Sequence, residues 1–419
     1  MPRAYVALDL ETTGLDPSKD AIIEVGAVRF TEDGVLDRFS SLVNPARPVP
    51  GKITHLTGIV SHELHSAPPV WEVLAQLSHF VGGDPVVGHS VGFDAAFLAR
   101  HRALVNNRKI DTFELSTILL PHVARHSLQH LVGVLDLASE SAHRALADAE
   151  AAMRLFLSLR EAAQALPVSL LEQVASLGRR SGWEQAQFFE DVLAEQRWRP
   201  LRTSIAQQLS AKGIVADGLP LMAVRQPPRT AQLQPRQPRA PLDVGDLVSS
   251  LAPNGAVATR LPGYEHRPQQ LEMLEAVAHA FNEGHHLVAE AGTGVGKSLA
   301  YLLPAISYAV ANRDRVVIST HTINLQEQLH SKDIPQLASA MDASPSVALL
   351  KGRNNYVCLS RLRSVLGRAS LSKEQALALA KVLTWLPNTT SGDRSELFLN
   401  TPAERHVWYQ VCSDTAWCR

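Results

Sequence analysis

Two carboxylates, Asp9 and Glu11, stand at the polar end of an otherwise apolar run, Ala4-Tyr5-Val6-Ala7-Leu8-Asp9-Leu10-Glu11. Alternate residues of a strand share one face, so a strand here sets the two acids side by side. Like charges at the end of a buried strand need a counter-charge. A divalent cation that takes carboxylate oxygens, such as Mg²⁺, supplies it. Further on, Asp94 follows a short apolar stretch at the start of a helical pattern, and His143 and Asp148 lie in an Ala-rich helical segment. Five residues on a helix subtend about 140°, so His143 and Asp148 cannot share one face of a continuous helix. His143 is therefore expected on the loop or first turn, over a site that Asp148 enters from the helix. Asp94 by itself has a second reading, as an acid stabilised by the positive end of its own helix.

The elements that must position these groups follow from hydrophobic period. Residues 4–11, 21–30 and 37–43 read as strands, the last two joined by a turn at Glu32-Asp33-Gly34. Residues 70–81 and 93–104 have helical spacing, residues 85–89 form a short buried strand, and 141–161 a strong helix. Hairpin strands followed by strands separated by helices imply a mixed α/β sheet. The chain has 419 residues, 45% hydrophobic and 19% charged, which suggests two to three domains. It contains no apolar run long enough for a membrane span, and its first residues carry no signal-peptide pattern, so a cytoplasmic setting without membrane partners is expected. Net charge is −1, so binding to nucleic acid must rest on local patches or on metals.

Asp9-x-Glu11-Thr12-Thr13-Gly14, Gly88-His89-Ser90-Val91-Gly92-Phe93-Asp94 and His143-x4-Asp148, with Leu56-Thr57-Gly58-Ile59 between them, resemble the three motifs of the DEDD exonuclease superfamily. The likeness is to its His-bearing branch, that of the proofreading subunit of DNA polymerase III, and covers residues 4 to about 161. Ser90 departs from it, since the family usually has Asn there. The resemblance implies an RNase H-like fold and removal of 5′-mononucleotides from a 3′ end, with two Mg²⁺ or Mn²⁺ ions. It implies that Asp9 bridges both ions and that Glu11, Asp94 and Asp148 complete their shells. His143 would accept a proton from the attacking water, since imidazole titrates near neutral pH.

His122, His126 and His130 are spaced for zinc on one helix, but Pro121 and the cap-like Ser127 argue against a single helix and for solvated surface histidines. Residues 166–215 read as a helical connector. Within it Arg179, Arg180, Trp183, Phe188, Phe189 and Trp198 either pack or stack on single-stranded nucleic acid, and packing is preferred. Residues 216–244 hold a Pro/Arg-rich linker.

From residue 245 a second unit begins. Val288-Ala289-Glu290 reads as the end of a strand, followed by Ala291-Gly292-Thr293-Gly294-Val295-Gly296-Lys297-Ser298 and a helix from Leu299. Such a loop converges backbone N–H groups on phosphates, with Lys297 at the terminal phosphates and Ser298 on Mg²⁺. Tyr264-Glu265-His266-Arg267-Pro268-Gln269-Gln270 resembles an adenine-reading helicase Q motif, which implies adenine contacts from Arg267 and Gln270. Val316-Val317-Ile318-Ser319-Thr320-His321-Thr322, read as a strand, leads into Leu325-Gln326-Glu327-Gln328-Leu329, which is similar to helicase motif Ia. Lys351-Gly352-Arg353-Asn354-Asn355-Tyr356-Val357-Cys358 resembles the segment that supplies a first iron–sulfur ligand in DinG-type and XPD-type helicases.

Residues 245–419 thus resemble the front of a DinG-type helicase, and the whole chain resembles the variant with an N-terminal exonuclease. Four segments are expected: an exonuclease domain over 1–165, a connector over 166–215, a linker over 216–244, and a partial P-loop (RecA-like) lobe over 245–419. The family's 4Fe–4S cluster uses four thiolates, whereas this sequence offers Cys358, Cys412 and Cys418. No acidic DExH-type motif follows the P-loop and no second motor lobe is present, so the resemblance reads as truncated within the iron–sulfur region, with ATP bound but poorly hydrolysed. The leading expectation is a metal-dependent 3′→5′ exonuclease acting on single-stranded DNA with a free 3′ end, in repair or replication, fused to an ATP-binding lobe. The rivals are a shortened ATP-dependent DNA helicase and a non-catalytic nucleic-acid-binding module.

Overall fold

The computed structural model describes residues 3–137, 144–198 and 233–415. His143 and Cys418 lie outside them. The described chain divides into two compact units, residues 1–226 with 353–419, and residues 227–352.

The first unit is built on a five-stranded sheet of order β3-β2-β1-β4-β5. Its strands are β1 (Tyr5–Thr12), β2 (Ile22–Thr31), β3 (Gly34–Leu42), β4 (Val86–Gly88) and β5 (Lys109–Asp111). β1, β2 and β3 pair antiparallel, while β4 runs parallel to both β1 and β5. This is the mixed α/β sheet that the residue pattern implies.

The alternation along β1 sorts its side chains. Val6, Leu8 and Leu10 join a core with α3 (Val70–Val81) and α4 (Gly92–Arg100), which follow the short helices α1 (Gly51–Thr57) and α2 (Ser61–His65). Tyr5 and Ala7 join the opposite core, shared with α5 (Thr112–Leu119) and α7 (Ala145–Gln164), to which α6 (Leu128–Val134) adds Leu131. Asp9 and Glu11 continue the Tyr5–Ala7 face, and α7 lies over it. A Cβ at Gly26 would come within 2.2 Å of the backbone of Ala145 and Leu146, so glycine lets the start of α7 rest on β2.

Two further helices, α8 (Val168–Ser181) and α9 (Ala186–Trp198), pack on each other, and α9 packs on α7. Trp183, Phe188 and Phe189 are buried there, so these rings are core and present no stacking platform. The sequence places residues 353–415 with the P-loop lobe, but they fold onto this unit instead. They form α15 (Leu359–Leu366), α16 (Lys373–Trp385) and α17 (Pro402–Val411), after the helices of the second unit described below. α16 packs against α5 and α8, and the Thr384 hydroxyl donates to the Ile118 carbonyl at 2.7 Å. Leu379, Trp385 and Trp408 are fully buried in the same core as Phe156 and Phe188. Lys381 and Glu404, each 2% exposed, pair at 2.5 Å, which meets the requirement that buried charges be matched.

The second unit packs α10 (Val244–Leu251), α11 (Pro268–Glu283), α12 (Lys297–Asn312), α13 (Ile323–Gln328) and α14 (Ile334–Ala340) around Leu274, Leu302, Leu303 and Leu337. The expected strands at 288–290 and 316–322 are not formed. Both stretches run without ladder pairing, and Val288 and Val317 are 97% and 82% exposed. A β-branched run becomes a parallel strand only when neighbours pair its edges and cover its faces. Among the described residues of the whole chain, no helix is long and apolar enough to cross a membrane.

Candidate functional site

Ligand oxygens of Asp9, Glu11 and Asp148 all lie within 4.8 Å of one another. β1 contributes the first two from one face, and the first turn of α7 brings the third down onto them. Asp94, in the first turn of α4 and 3% exposed, is not one of the three within that distance, but it stands close enough to Asp9 to repel it. Against the rise that burial gives Asp94, backbone N–H groups, that of Leu10 between the two β1 acids first among them, lower it. Gln129 on α6 donates to Asp148 Oδ1 at 3.0 Å.

The acids resist ionising together. Burial raises Asp9 well above the ordinary carboxyl range, and repulsion from Asp94, Asp148, Glu11 and Glu24 adds to it. Burial likewise raises Asp94. Glu11 is pushed up to about 7, by burial first and then by Asp148 and Glu24, against the opposing charge of Arg144. Oxygen donors crowded this closely suit one or more divalent cations, which would exchange for the retained protons.

That balance makes a pH prediction. A carboxyl with a raised folded pKa binds its proton more tightly in the folded chain. Its stabilisation is therefore full below the unfolded pKa and lost as pH rises through the folded one. For Glu11 the window runs from the ordinary 4.5 to about 7. Allowing for its partial exposure, this is worth on the order of 2–3 kcal/mol. In EDTA the thermal midpoint should fall as pH rises through that window, and Mn²⁺ should flatten the fall. Calorimetric scans across the window, with and without Mn²⁺, check it; superimposable profiles would count against a cation site.

The remaining motif residues around β4 hold the chain. His89 donates through Nε2 to the His126 carbonyl at 2.8 Å, contacts Thr112 through Nδ1 at 3.0 Å, and is pushed down to about 4 by burial, so it stays neutral. His126 is buried beside Ser116, contrary to the expected solvated position, and α6 begins only at Leu128. The three histidines thus do not share one helix. Asp111 caps α5 at Phe113 and Glu114 and also accepts the Ser90 N–H at 3.0 Å. Ser90 has φ +62°, the left-handed region in which Asn is favoured over Ser. Ser90→Asn should therefore raise stability modestly, by about 0.5–1 kcal/mol, and a lowered thermal midpoint would refute this.

One participant was missed from sequence. Glu24 lies in the middle of buried β2 and accepts Arg144 Nη2 at 2.7 Å and the Ala145 N–H at 3.0 Å. The signal was present: a lone charge inside Ile22-Ile23-Glu24-Val25-Gly26 demands a partner.

In the second unit the phosphate loop turns through Gly294 and Gly296, both with positive φ, into the N-terminus of the 16-residue helix α12. Lys297 Nζ donates to the carbonyls of Ala291 (2.9 Å) and Gly292 (2.6 Å), and Ser298 follows it in the first helical turn. Gln270, expected at adenine, is buried and uses both ends of its amide within the protein. Its nitrogen donates to the Gly296 carbonyl at 2.8 Å and its oxygen accepts the Tyr264 hydroxyl at 3.0 Å. Arg267 pairs with Glu265 at 2.6 Å on the surface.

The cysteine expectation gains less. The Cys358 N–H bonds the Val411 carbonyl, which brings the chain near Cys412. The Cys412 thiol is buried, raised by burial, and donates to the Tyr409 carbonyl at 3.6 Å. Two described thiols, one held protonated, fall short of the four thiolates of a cluster.

Comparison with known proteins matches residues 6–156 to a family described as exonuclease and residues 267–365 to one described as DEAD/DEAH box helicase. A curated relative from Bacillus subtilis (strain 168), "3'-5' exonuclease DinG", is 31% identical over 98% of this chain and 43% of its own length. One of the same name from Staphylococcus aureus (strain USA300) is 27% identical over 94% of this chain and 42% of its own. The chain therefore spans less than half the length of these relatives. Among solved structures, Exonuclease X in complex with 5′ overhanging duplex DNA aligns at 22% identity over 45% of this chain and 99% of that one, with a TM-score of 0.34. E. coli Exonuclease I in complex with a dT13 oligonucleotide aligns at 18% identity over 38% and 41%, with a TM-score of 0.34. Residues 6–156 thus match the exonuclease family model and residues 267–365 the DEAD/DEAH box helicase model, on one chain that is similar to the front part of the relatives named 3′-5′ exonuclease DinG.

Proposed function

We propose that the chain is a metal-dependent 3′→5′ exonuclease that releases 5′-mononucleotides from single-stranded DNA with a free 3′ end, joined to a unit that binds ATP. The observation that carries this reading is the convergence of Asp9, Glu11 and Asp148 within 4.8 Å, with Asp94 close enough to Asp9 to repel it. Asp9, Glu11, Asp94 and Asp148 would hold two Mg²⁺ or Mn²⁺ ions. When bound, such a pair stabilises charge on the attacking and leaving oxygens of a phosphodiester displacement. His143, one residue before Arg144, has the chemistry to accept the proton of the attacking water.

The phosphate loop supports nucleotide binding in the second unit. Glycines at positive φ and the helix N-terminus behind them suit an anion, and Lys297 would exchange its two carbonyl partners for phosphate oxygens. Contacts from Gln270 to adenine would require it to leave Tyr264 or Gly296, so Arg267 is the more available of the two. Roles in repair or replication and a cytoplasmic setting belong to the same reading. So does an iron–sulfur cluster on Cys358, Cys412 and Cys418.

A single-turnover assay on matched DNA and RNA oligomers with free 3′ ends tests the proposal. Mononucleotide release from DNA in Mg²⁺ and none in EDTA is expected. Binding that persists in EDTA without release in Mg²⁺ would make the chain a non-catalytic binder instead.

A further inference from the structure

We propose that the Glu24–Arg144 pair is a clasp that positions Asp148 for cation binding, with Glu24 the positioning residue on the sheet side. The proposal rests on the metal-dependent nuclease reading and extends it to two residues outside the acid set. Glu24 is 2% exposed in the middle of β2, where an unmatched carboxylate would be costly. It is matched completely by the start of α7. Arg144 Nε donates to both carboxylate oxygens at 3.1 and 3.2 Å, Nη2 donates to Oε1 at 2.7 Å, and the Ala145 N–H donates to Oε2 at 3.0 Å. A carboxylate so engaged is not a spare cation ligand, although it lies beside three of them.

The sheet register explains what the clasp is for. Glu24 sits directly across from Glu11, and Gly26 directly across from Asp9. The two rungs that carry the β1 acids are therefore the two that hold α7: Gly26 lets the helix start lie against the strand, and Glu24 keeps it from lifting away. Asp148 lies in the first turn of that helix, three residues beyond Ala145. Its oxygen must reach within 4.8 Å of those of Asp9 and Glu11, so small movement at Ala145 is carried straight to the site. A planar guanidinium on a carboxylate suits this task, because its paired bonds fix orientation as well as distance.

The test uses the full chain with Glu24→Gln, Arg144→Lys and the double variant, and Asp9→Asn as a reference. Mn²⁺ affinity is measured by calorimetry, and mononucleotide release is followed against both Mn²⁺ and oligomer concentration, well below the thermal midpoint. Far-UV circular dichroism should match the parent. Each single variant is expected to weaken Mn²⁺ binding and lower kcat by roughly 10-fold while leaving KM for the oligomer within about twofold. The double variant should be no worse than the more affected single one, as for residues acting as a unit. Parent-like Mn²⁺ affinity with only a lowered thermal midpoint would overturn the clasp in favour of a purely structural pair. A raised KM at unchanged Mn²⁺ affinity would overturn it by making Arg144 a substrate-phosphate ligand. If the parent releases no mononucleotide, the nuclease reading fails on its own, and the Mn²⁺ affinities still decide whether the pair sets the acid cluster.

Discussion

Asparagine in place of Asp9 is expected to end mononucleotide release and, in the same protein, to raise the thermal midpoint of the metal-free chain near neutral pH. The two effects have one cause. Asp9 is raised by burial and by four neighbouring carboxylates, so the folded chain bears a cost for keeping it charged or for keeping it protonated. An amide of the same shape removes that cost and relieves Asp94, Asp148 and Glu11. It also removes the central ligand of the proposed cation pair. Cation stabilisation of the displacement is worth several kcal/mol, so its loss should slow release by roughly 10³-fold or more. Rate and midpoint, measured on one preparation with and without Mg²⁺, check both halves. Activity within tenfold of the parent, or a lower midpoint in EDTA, would sink the proposed site.

The second large effect lies far from the site in sequence. Trp385→Ala is expected to lower stability by about 3–5 kcal/mol, the usual cost of emptying a buried aromatic position. In a domain of this size that is roughly 10 °C in thermal midpoint. Its particular consequence is that heat inactivation of the proposed nuclease activity should shift with it. Trp385 is fully buried in the same core as Phe156 and Phe188 of the first unit, and the adjacent Thr384 bonds Ile118 on α5. Were residues 353–415 part of the P-loop unit, the nuclease would inactivate at its old temperature while nucleotide binding weakened. Following both activities through a heating series separates these outcomes.

Several elements were legible because their causes are local. The pattern of Val70–Val81 sets the bounds of α3, since four buried side chains recur at helical spacing between Pro69 and Gly82. β1 to β3 lie close to their expected positions because a run of alternating or β-branched residues ended by turn-formers needs little else. The phosphate loop is recognisable because only glycine readily adopts the backbone it needs at 294 and 296. The same local rules mislead at Val288 and Val316, where a pattern that permits a strand meets no partner edge.

Sequence by itself determined the inventory of this protein: an acid pair spaced for one face of β1, further acids with matching neighbours, a phosphate loop, and the helices and strands that carry them. Tertiary structure alone decided which core each helix joins and which polar groups meet. Nothing in the pattern of α16 says that Thr384 bonds a carbonyl 266 residues away, or that Glu24 and Arg144, 120 residues apart, hold α7 above Glu11. The physical reason is that periodicity records how much of a side chain is buried, whereas the partner it is buried against depends on contacts between segments that no local pattern encodes.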